Sequence, residues 1–333
     1  MKIYLAGDSI VQNYEKEEFI AGWGQFLPFF IKDGVEVVND AKGGRSSRLF
    51  INEGRFDNIE KNISAGDYLL IEFCHNDDAS KEYKTMFNRL TPLGEPDSDG
   101  RFPIIPGEAM PKDYIPPEYI DALRKDENVK DKQAVLDSVY KILESYPHDT
   151  YYPYSAYGSK GTYLWFLKQF VDMAREKGAV PVFVTAPART VYDANGNIKD
   201  GAGLHGGNNF AYIRAMKQLG EEAKVPVIDL FAYSCGLYKQ IGKEKIHWIT
   251  SIKKGCNKGI WPDDFNSEMQ KKETVSEDTH FNKYGAMLIT QGLVKLIKES
   301  DSSQLDGLRG MLKNPDGIDI EKYVKKPLVF EEF

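Results

Sequence analysis

Short apolar runs alternate with amphipathic segments along most of this chain. Apolar, β-branched runs of about 4–8 residues are typical of buried strands, and apolar residues at spacings of three and four are typical of helices. Five segments have the strand pattern: 3–6, 35–38, 67–73, 179–185 and 225–230. Five have the helical pattern: 25–32, 162–177, 210–224, the segment from 230 to about 241, and 281–298. This alternation predicts an α/β fold, with a parallel sheet that carries helices on both faces.

Residues 78–160 interrupt the alternation and are rich in Pro, Tyr, Asp and Lys. A loop of this length without structure of its own would be unusual in a compact domain, so we expect an insertion with one helix near 131–146. Since the insertion follows the carboxyl end of a strand, a lid or cleft wall is favoured over a mobile surface excursion. We expect residues 1–300 to form one domain and 301–333 a C-terminal tail.

Composition narrows the possible partners. The 333 residues are 41% hydrophobic and 28% charged, as is ordinary for a globular protein, and the net charge of -7 disfavours nucleic acid and anionic membranes. No window is apolar enough to span a bilayer, and no signal peptide precedes the first strand. We therefore expect a cytoplasmic protein, or a secreted one if a leader has been trimmed. The oligomeric state stays open.

The first chemical candidate is Ser9, in the sequence Gly7-Asp8-Ser9 that follows the first strand. Open α/β sheets bind ligands at the carboxyl ends of their strands, so this serine is a candidate nucleophile if a base lies elsewhere. The alternative is that Asp8 and Ser9 only cap a following helix.

Three further polar segments favour the nucleophile. Gly43-Gly44 follows the second strand, Asn76 follows the third, and His280 precedes the last helix. In a doubly wound sheet these points converge on one edge. His280 is then the candidate base, and the backbone N–H groups of Ser9 and Gly44 with the Asn76 amide are candidate donors to an oxyanion.

The base needs an acid that holds its ring in one tautomer. Glu277 is the first candidate, because a spacing of three residues returns within one helical turn. Asp278 is the alternative.

Together these residues resemble the four sequence blocks of the SGNH (GDSL) hydrolases, and more closely the rhamnogalacturonan acetylesterase-like carbohydrate esterases. The segments that carry the resemblance are 3–9, 22–25, 43–47, 53–55, 75–77 and 279–281. The resemblance covers roughly residues 1–77 and 160–299 and does not extend to the insertion or the tail.

The resemblance implies a flavodoxin-like three-layer α/β/α sandwich with a parallel sheet. It implies a serine esterase that removes O-acetyl groups from a pectic or related plant cell-wall sugar, without metal or cofactor. By position, Ser9 is the nucleophile, His280 the base, and Ser9, Gly44 and Asn76 form the oxyanion hole. The chain departs from the family in having Glu277 where the family has aspartate, and Cys74 where it has glycine.

Weaker candidates for sugar binding lie on the surrounding loops. Arg45, Arg189 and His205 could bind an acidic sugar, since arginine pairs well with carboxylates, although surface salt bridges explain each arginine equally well. Two other functions stay open: a lipase, thioesterase or aryl esterase with the same machinery, and a carbohydrate-binding protein in which catalysis is impaired. The predicted partner is an acetylated oligosaccharide.

Overall fold

The structure, a computed structural model, describes residues 1–15, 20–78, 89–147, 149–152, 160–196, 210–252 and 276–324. Its strands are β1 (Lys2–Gly7), β2 (Glu36–Asn39), β3 (Tyr68–Glu72), β4 (Glu108–Met110), β5 (Thr150–Tyr152), β6 (Val180–Val184), β7 (Val227–Ile228), β8 (Thr250–Ile252) and β9 (Ser276–Phe281). Its α-helices are α1 (Ser47–Asn52), α2 (Arg55–Asn62), α3 (Pro117–Lys125), α4 (Lys132–Glu144), α5 (Tyr163–Glu176), α6 (Ala211–Ala223), α7 (Leu230–Ile241), α8 (Lys283–Glu299) and α9 (Asp306–Met311).

Five strands form the central sheet in the order β2-β1-β3-β6-β7, and every neighbouring pair is parallel. This confirms the predicted parallel sheet. The order is flavodoxin-like, and it reverses direction between β1 and β3, which defines a crevice at their carboxyl ends. The end of β1 lies level with the end of β3, since Gly7 is the register partner of Glu72.

Helices cover both faces of the sheet. Ile3 and Leu5 point into one core layer, which α7, α8 and α9 complete. Tyr4 and Ala6 point into the other layer, which α1, α2, α5 and α6 complete. Since successive side chains of a strand face opposite sides, a continuously apolar strand is what such a three-layer sandwich requires.

The helix predicted over 25–32 is wrong in type. The segment forms two 3-10 helices, Trp23–Gln25 and Leu27–Phe30, with bonds such as Phe29 N–H to the Phe26 carbonyl at 3.1 Å. Pro28 has no N–H with which to make the α-helical bond, so the shorter-range pattern prevails.

The insertion contains more structure than predicted. The expected helix near 131–146 is confirmed by α4, and α3 and the antiparallel pair β4–β5 add to it. A small apolar cluster holds α3 and α4 together and includes Leu123 of α3, Leu143 of α4 and Leu49 of α1.

The C-terminal segment is packed against the same fold. Leu305, Leu308 and Met311 are buried in the core layer that contains α8. The backbone of this segment also bonds to the first 3-10 region, where Lys32 N–H donates to the Met311 carbonyl at 2.8 Å.

Candidate active site

Ser9 follows β1 directly and lies at the reversal point of the sheet. Residues 10–15, the described stretch directly after it, form no α-helix. The chain makes a turn instead, in which the Asp8 carboxylate accepts the Ile10 N–H at 2.9 Å. Gly7 allows this turn, because a Cβ there would lie 2.5 Å from a methyl group of Val11. The serine is therefore presented by a tight strand-to-turn junction rather than used as a helix cap.

His280 reaches Ser9 from the far end of the chain. Its Nε2 lies 2.8 Å from Ser9 Oγ, which is hydrogen-bonding distance for a base and its nucleophile. The imidazole is partly exposed, while the neighbouring Thr279 and Phe281 are buried and fix the backbone on either side.

The backbone that carries His280 is an interrupted strand and not the first turn of a helix. Thr250 pairs with Phe281 and Ile252 with Ser276, so that the single residue 251 of β8 opposes four residues, 277–280, of β9. Such a bulge turns side chains away from the regular alternation. The helical spacing by which we ranked Glu277 above Asp278 is therefore wrong for this segment.

Gly44 occupies a backbone conformation that favours glycine, with φ of +80°. The loop is tied to the end of β1 by the Lys42 N–H, which donates to the Gly7 carbonyl at 3.0 Å. Within the described residues, no acceptor takes the N–H of Gly44 or that of Ser9. Both groups therefore remain candidate donors to a ligand oxygen.

Asn76 is nine-tenths buried and held through Asp8, since its Nδ2 donates to Asp8 Oδ2 at 3.1 Å. An amide nitrogen carries two hydrogens, so one remains beyond this bond. The structure therefore brings Ser9, Gly44, Asn76 and His280 to one sheet edge, as expected.

Several carboxyl groups are buried beneath this edge, and the pKa values of three of them, Asp8, Glu72 and Asp77, are raised. Burial raises the pKa of Asp8 to about 6 and that of Asp77 to about 7, although hydrogen bonds from Ile10 N–H to Asp8 and from the Ser47 hydroxyl to Asp77 act in the opposite direction. Burial raises the pKa of Glu72 well above its ordinary value, and the charges of Asp8 and Asp77 add to the effect. Asp77 also anchors α1, because the Ser47 N–H donates to its Oδ1 at 3.0 Å.

The two candidate acids differ in what the structure describes. The side chain of Glu277 lies outside the described residues. Asp278 is half-exposed, and its Oδ1 accepts hydrogen bonds from Arg189 at 2.6 Å and from the Thr279 hydroxyl at 3.1 Å. The loop that carries Arg189 is further tied to this segment by the Thr190 N–H, which donates to the Asp278 carbonyl at 2.7 Å.

The arginines proposed for sugar binding are paired within the protein. Arg45 makes a bidentate pair with Glu53, with both contacts at 2.9 Å, and Arg189 pairs with Asp278. His205 lies outside the described residues. Their role in substrate binding stays a prediction.

Sequence reasoning missed Arg89. It lies in the insertion, and its Nη1 is 3.4 Å from Asn76 Oδ1. No spacing or motif indicates it, because only the path of the insertion brings it to the sheet edge. Cys74, where the resemblance implies glycine, is fully buried in the core layer that contains α5 and carries a free thiol.

The described ranges contain neither a membrane-spanning helix nor a cluster of metal ligands. None of their helices is both long and apolar enough to cross a bilayer. Nor do three or more His, Cys, Asp or Glu side chains in these ranges cluster so as to hold a metal ion.

Comparison with curated proteins gives relatives of nearly full length. The chain is 30% identical over 300 residues to the rhamnogalacturonan acetylesterase RhgT of Bacillus subtilis, and the alignment covers 90% of each protein. It is 30% identical over 298 residues to the probable rhamnogalacturonan acetylesterase YesY of the same organism, covering 89% of this chain and 92% of YesY. A rhamnogalacturonan acetylesterase of Emericella nidulans is 45% identical over 78 residues, which are 23% of this chain and 29% of that protein. No family model matches the chain.

Among solved structures, the chain is similar to the crystal structure of YxiM from Bacillus subtilis, with a TM-score of 0.51 and 19% identity. The match covers 91% of this chain and 57% of the YxiM chain. At this identity the likeness concerns the fold alone.

Proposed function

The chain belongs to the rhamnogalacturonan acetylesterase family and is a carbohydrate acetylesterase. From this premise we propose that it deacetylates a rhamnogalacturonan- or pectin-type poly- or oligosaccharide through an acetyl-enzyme. The observation that carries the proposal is the 2.8 Å contact between Ser9 Oγ and His280 Nε2 at the reversal point of the sheet. The names of the near-full-length relatives support the substrate class.

The first half of the reaction forms the acetyl-enzyme. Ser9 Oγ bonds to the acetyl carbonyl carbon while its proton passes to His280 Nε2, and the carbonyl π electrons move onto the oxygen. The N–H groups of Ser9 and Gly44 and the amide of Asn76 donate hydrogen bonds to this oxyanion. The ester C–O bond to the sugar then breaks as His280 returns the proton to the sugar oxygen.

The second half repeats the sequence with water. His280 takes a proton from the water that attacks the acetyl-enzyme, the same donors stabilise the second oxyanion, and acetate leaves as Ser9 regains its proton. An acid behind His280 is needed in both halves, because the imidazolium forms twice. We propose Glu277 for this role, with Asp278 as the alternative.

The proposal is tested by measuring acetate release from acetylated rhamnogalacturonan, acetylated xylan, small acetylated oligosaccharides and a long-chain p-nitrophenyl ester. We expect the highest kcat/KM on the pectic substrate. Preference for the long-chain ester would contradict a sugar acetylesterase. Preference for acetylated xylan would show that the substrate is not a pectic polysaccharide.

The nucleophile is tested with the Ser9→Ala variant. We expect its kcat to fall by several orders of magnitude, on the order of the 10⁶-fold loss seen when a triad serine is removed, with an unchanged melting temperature. Exposed Ser138→Ala on α4 is the control and should retain full activity. Turnover by Ser9→Ala at the wild-type rate would show that Ser9 is not the nucleophile.

A further inference from the structure

Arg89 belongs to the insertion, but its side chain lies against Gly44, in the loop that follows β2. A Cβ built on Gly44 would lie 2.9 Å from Nη2 of Arg89 and 3.2 Å from its Cζ, so the guanidinium packs directly on the Gly44 Cα. The other terminal nitrogen, Nη1, lies 3.4 Å from Asn76 Oδ1. One side chain therefore contacts both groups that, with Ser9, are proposed to bind the oxyanion.

The position of Arg89 is set by the two residues that follow it. The Thr91 N–H donates to the Asp77 carbonyl at 3.0 Å, and the Tyr212 hydroxyl donates to the Thr91 carbonyl at 2.6 Å. Nε of the fully buried Arg48 donates to the Leu90 carbonyl at 3.1 Å. Since Leu90 and Thr91 are themselves buried, the base of the Arg89 side chain is anchored to α1, α6 and the segment that follows β3.

Asn76 stands between a positive and a negative group. Its Oδ1 accepts from the Arg89 guanidinium, and its Nδ2 donates to Asp8 Oδ2. This arrangement allows only one orientation of the amide, because the reversed amide would turn its NH₂ toward the guanidinium and its oxygen toward the carboxylate. Hydrogen bonds in such a chain polarise one another, so each Nδ2–H becomes a stronger donor.

The charge of Arg89 also matters at the moment of attack. A negative charge develops on the carbonyl oxygen beside the Gly44 N–H, and the guanidinium lies on the same glycine. A fixed positive charge at the edge of the site stabilises that oxyanion more than the neutral ester. The 3.4 Å bond is long in the free enzyme, and such bonds tighten when charge forms.

We propose that Arg89 is a positioning residue of the oxyanion hole, which fixes the Asn76 amide and places a positive charge against Gly44. The inference rests on the proposed function, because it assumes that Asn76 and Gly44 bind the oxyanion. If Arg89 has this role, the insertion contributes to stabilising the oxyanion and not only to binding the sugar.

The test is a double-mutant cycle between Arg89→Ala and Asn76→Ala on p-nitrophenyl acetate, an ester without sugar or charge. Arg89→Ala should lower kcat about ten- to a hundredfold, as expected for a charged hydrogen bond, with KM within about twofold of wild type. Asn76→Ala should lower kcat about 10²- to 10³-fold. In the Asn76→Ala background, removal of Arg89 should lower kcat by a smaller factor than in the wild type, because its contact with Asn76 is already absent and only its charge beside Gly44 remains.

Two further measurements separate this role from a structural one. Methylguanidinium should restore part of kcat to Arg89→Ala and none to Arg124→Ala, in which an exposed arginine of α3 is removed. Arg89→Lys keeps the charge without the planar fork and should retain more activity than Arg89→Ala.

The inference is overturned by unchanged kcat in Arg89→Ala, by a raised KM with unchanged kcat, or by losses that multiply in the double variant. Absence of rescue in a folded Arg89→Ala protein would also overturn it. Failure of the proposed function has a different signature, since Ser9→Ala and Asn76→Ala would then keep wild-type activity.

Discussion

Ser9 and His280 lie 271 positions apart in the chain, and a 2.8 Å contact joins their side chains. Asp8, beside the serine, serves two purposes. The Asp8 carboxylate closes the turn after β1 through the Ile10 N–H and also holds the amide of Asn76. Replacement of Asp8 would therefore disturb the presentation of the nucleophile and the oxyanion hole together.

The acid behind His280 can be identified at the same scale. We expect Glu277→Gln to lower kcat on the order of 10⁴-fold, as loss of the acid does in serine proteases, and Asp278→Asn to lower it less than about tenfold. The reason is that Asp278 already accepts hydrogen bonds from Arg189 and Thr279. Steady-state kinetics of both variants on one small acetyl ester make the comparison, and the reverse ranking would assign the acid to Asp278.

At the scale of elements, the site is built by segments that follow strands. Ser9 follows β1, Gly44 follows β2, Asn76 follows β3, and the bulge of β9 delivers His280. The rigid sheet fixes where each segment begins, while the segments carry the chemistry. Loops can differ between members of such a fold without change to the sheet.

The insertion is an element with its own small core, and its stability can be tested separately. Leu143 in α4 and Leu167 in α5 are both fully buried, but Leu143 lies in the small insertion cluster and Leu167 in a main core layer. Each Leu→Ala change should cost about 2–5 kcal/mol of local packing. We expect Leu143→Ala to raise hydrogen exchange in α3 and α4 only, whereas Leu167→Ala should raise it in β1 and β3. Equal loss of protection in the sheet from both variants would show that the insertion unfolds with the domain.

At the scale of the whole molecule, the buried carboxyls with raised pKa values make stability depend on pH. Burial raises the pKa of Asp77 to about 7 and that of Asp8 to about 6, from an ordinary value of 3.8. Between about pH 4 and these values the folded protein holds protons that the unfolded chain has lost. The stability that these two groups contribute is therefore complete below pH 4 and is lost as the pH rises through 6 and 7.

We therefore expect the Asp77→Asn variant to lose less stability with rising pH than the wild type. Each titrating proton contributes at most about 1.4 kcal/mol per pH unit to the slope. Denaturant unfolding at pH 5, 6, 7 and 8 measures it, with Asp121→Asn, an exposed position of α3, as the control that should follow wild type. Parallel curves for Asp77→Asn and the wild type would contradict the raised pKa.

The sequence by itself determined the five-stranded sheet and the helices α4 to α8, because strand and helix periodicities are local and each apolar strand can be buried only between two layers. It also indicated Ser9, Gly44, Asn76 and His280, since each stands beside a predicted element end. It did not predict the 3-10 type of the helices near Pro28, the bounds of α1, α2, α3 and α9, or the two short antiparallel strand pairs β4–β5 and β8–β9.

Only the tertiary structure decided the rest. The bulge of β9 depends on pairing with a distant strand, so no local spacing rule could rank Glu277 and Asp278. The structure also showed that Arg45 and Arg189 pair with carboxylates of the protein, and such partners decide whether a guanidinium faces a ligand. Arg89 reaches Gly44 through the path of an insertion that no periodicity describes, since a contact between distant segments is fixed by packing and not by neighbours in the chain.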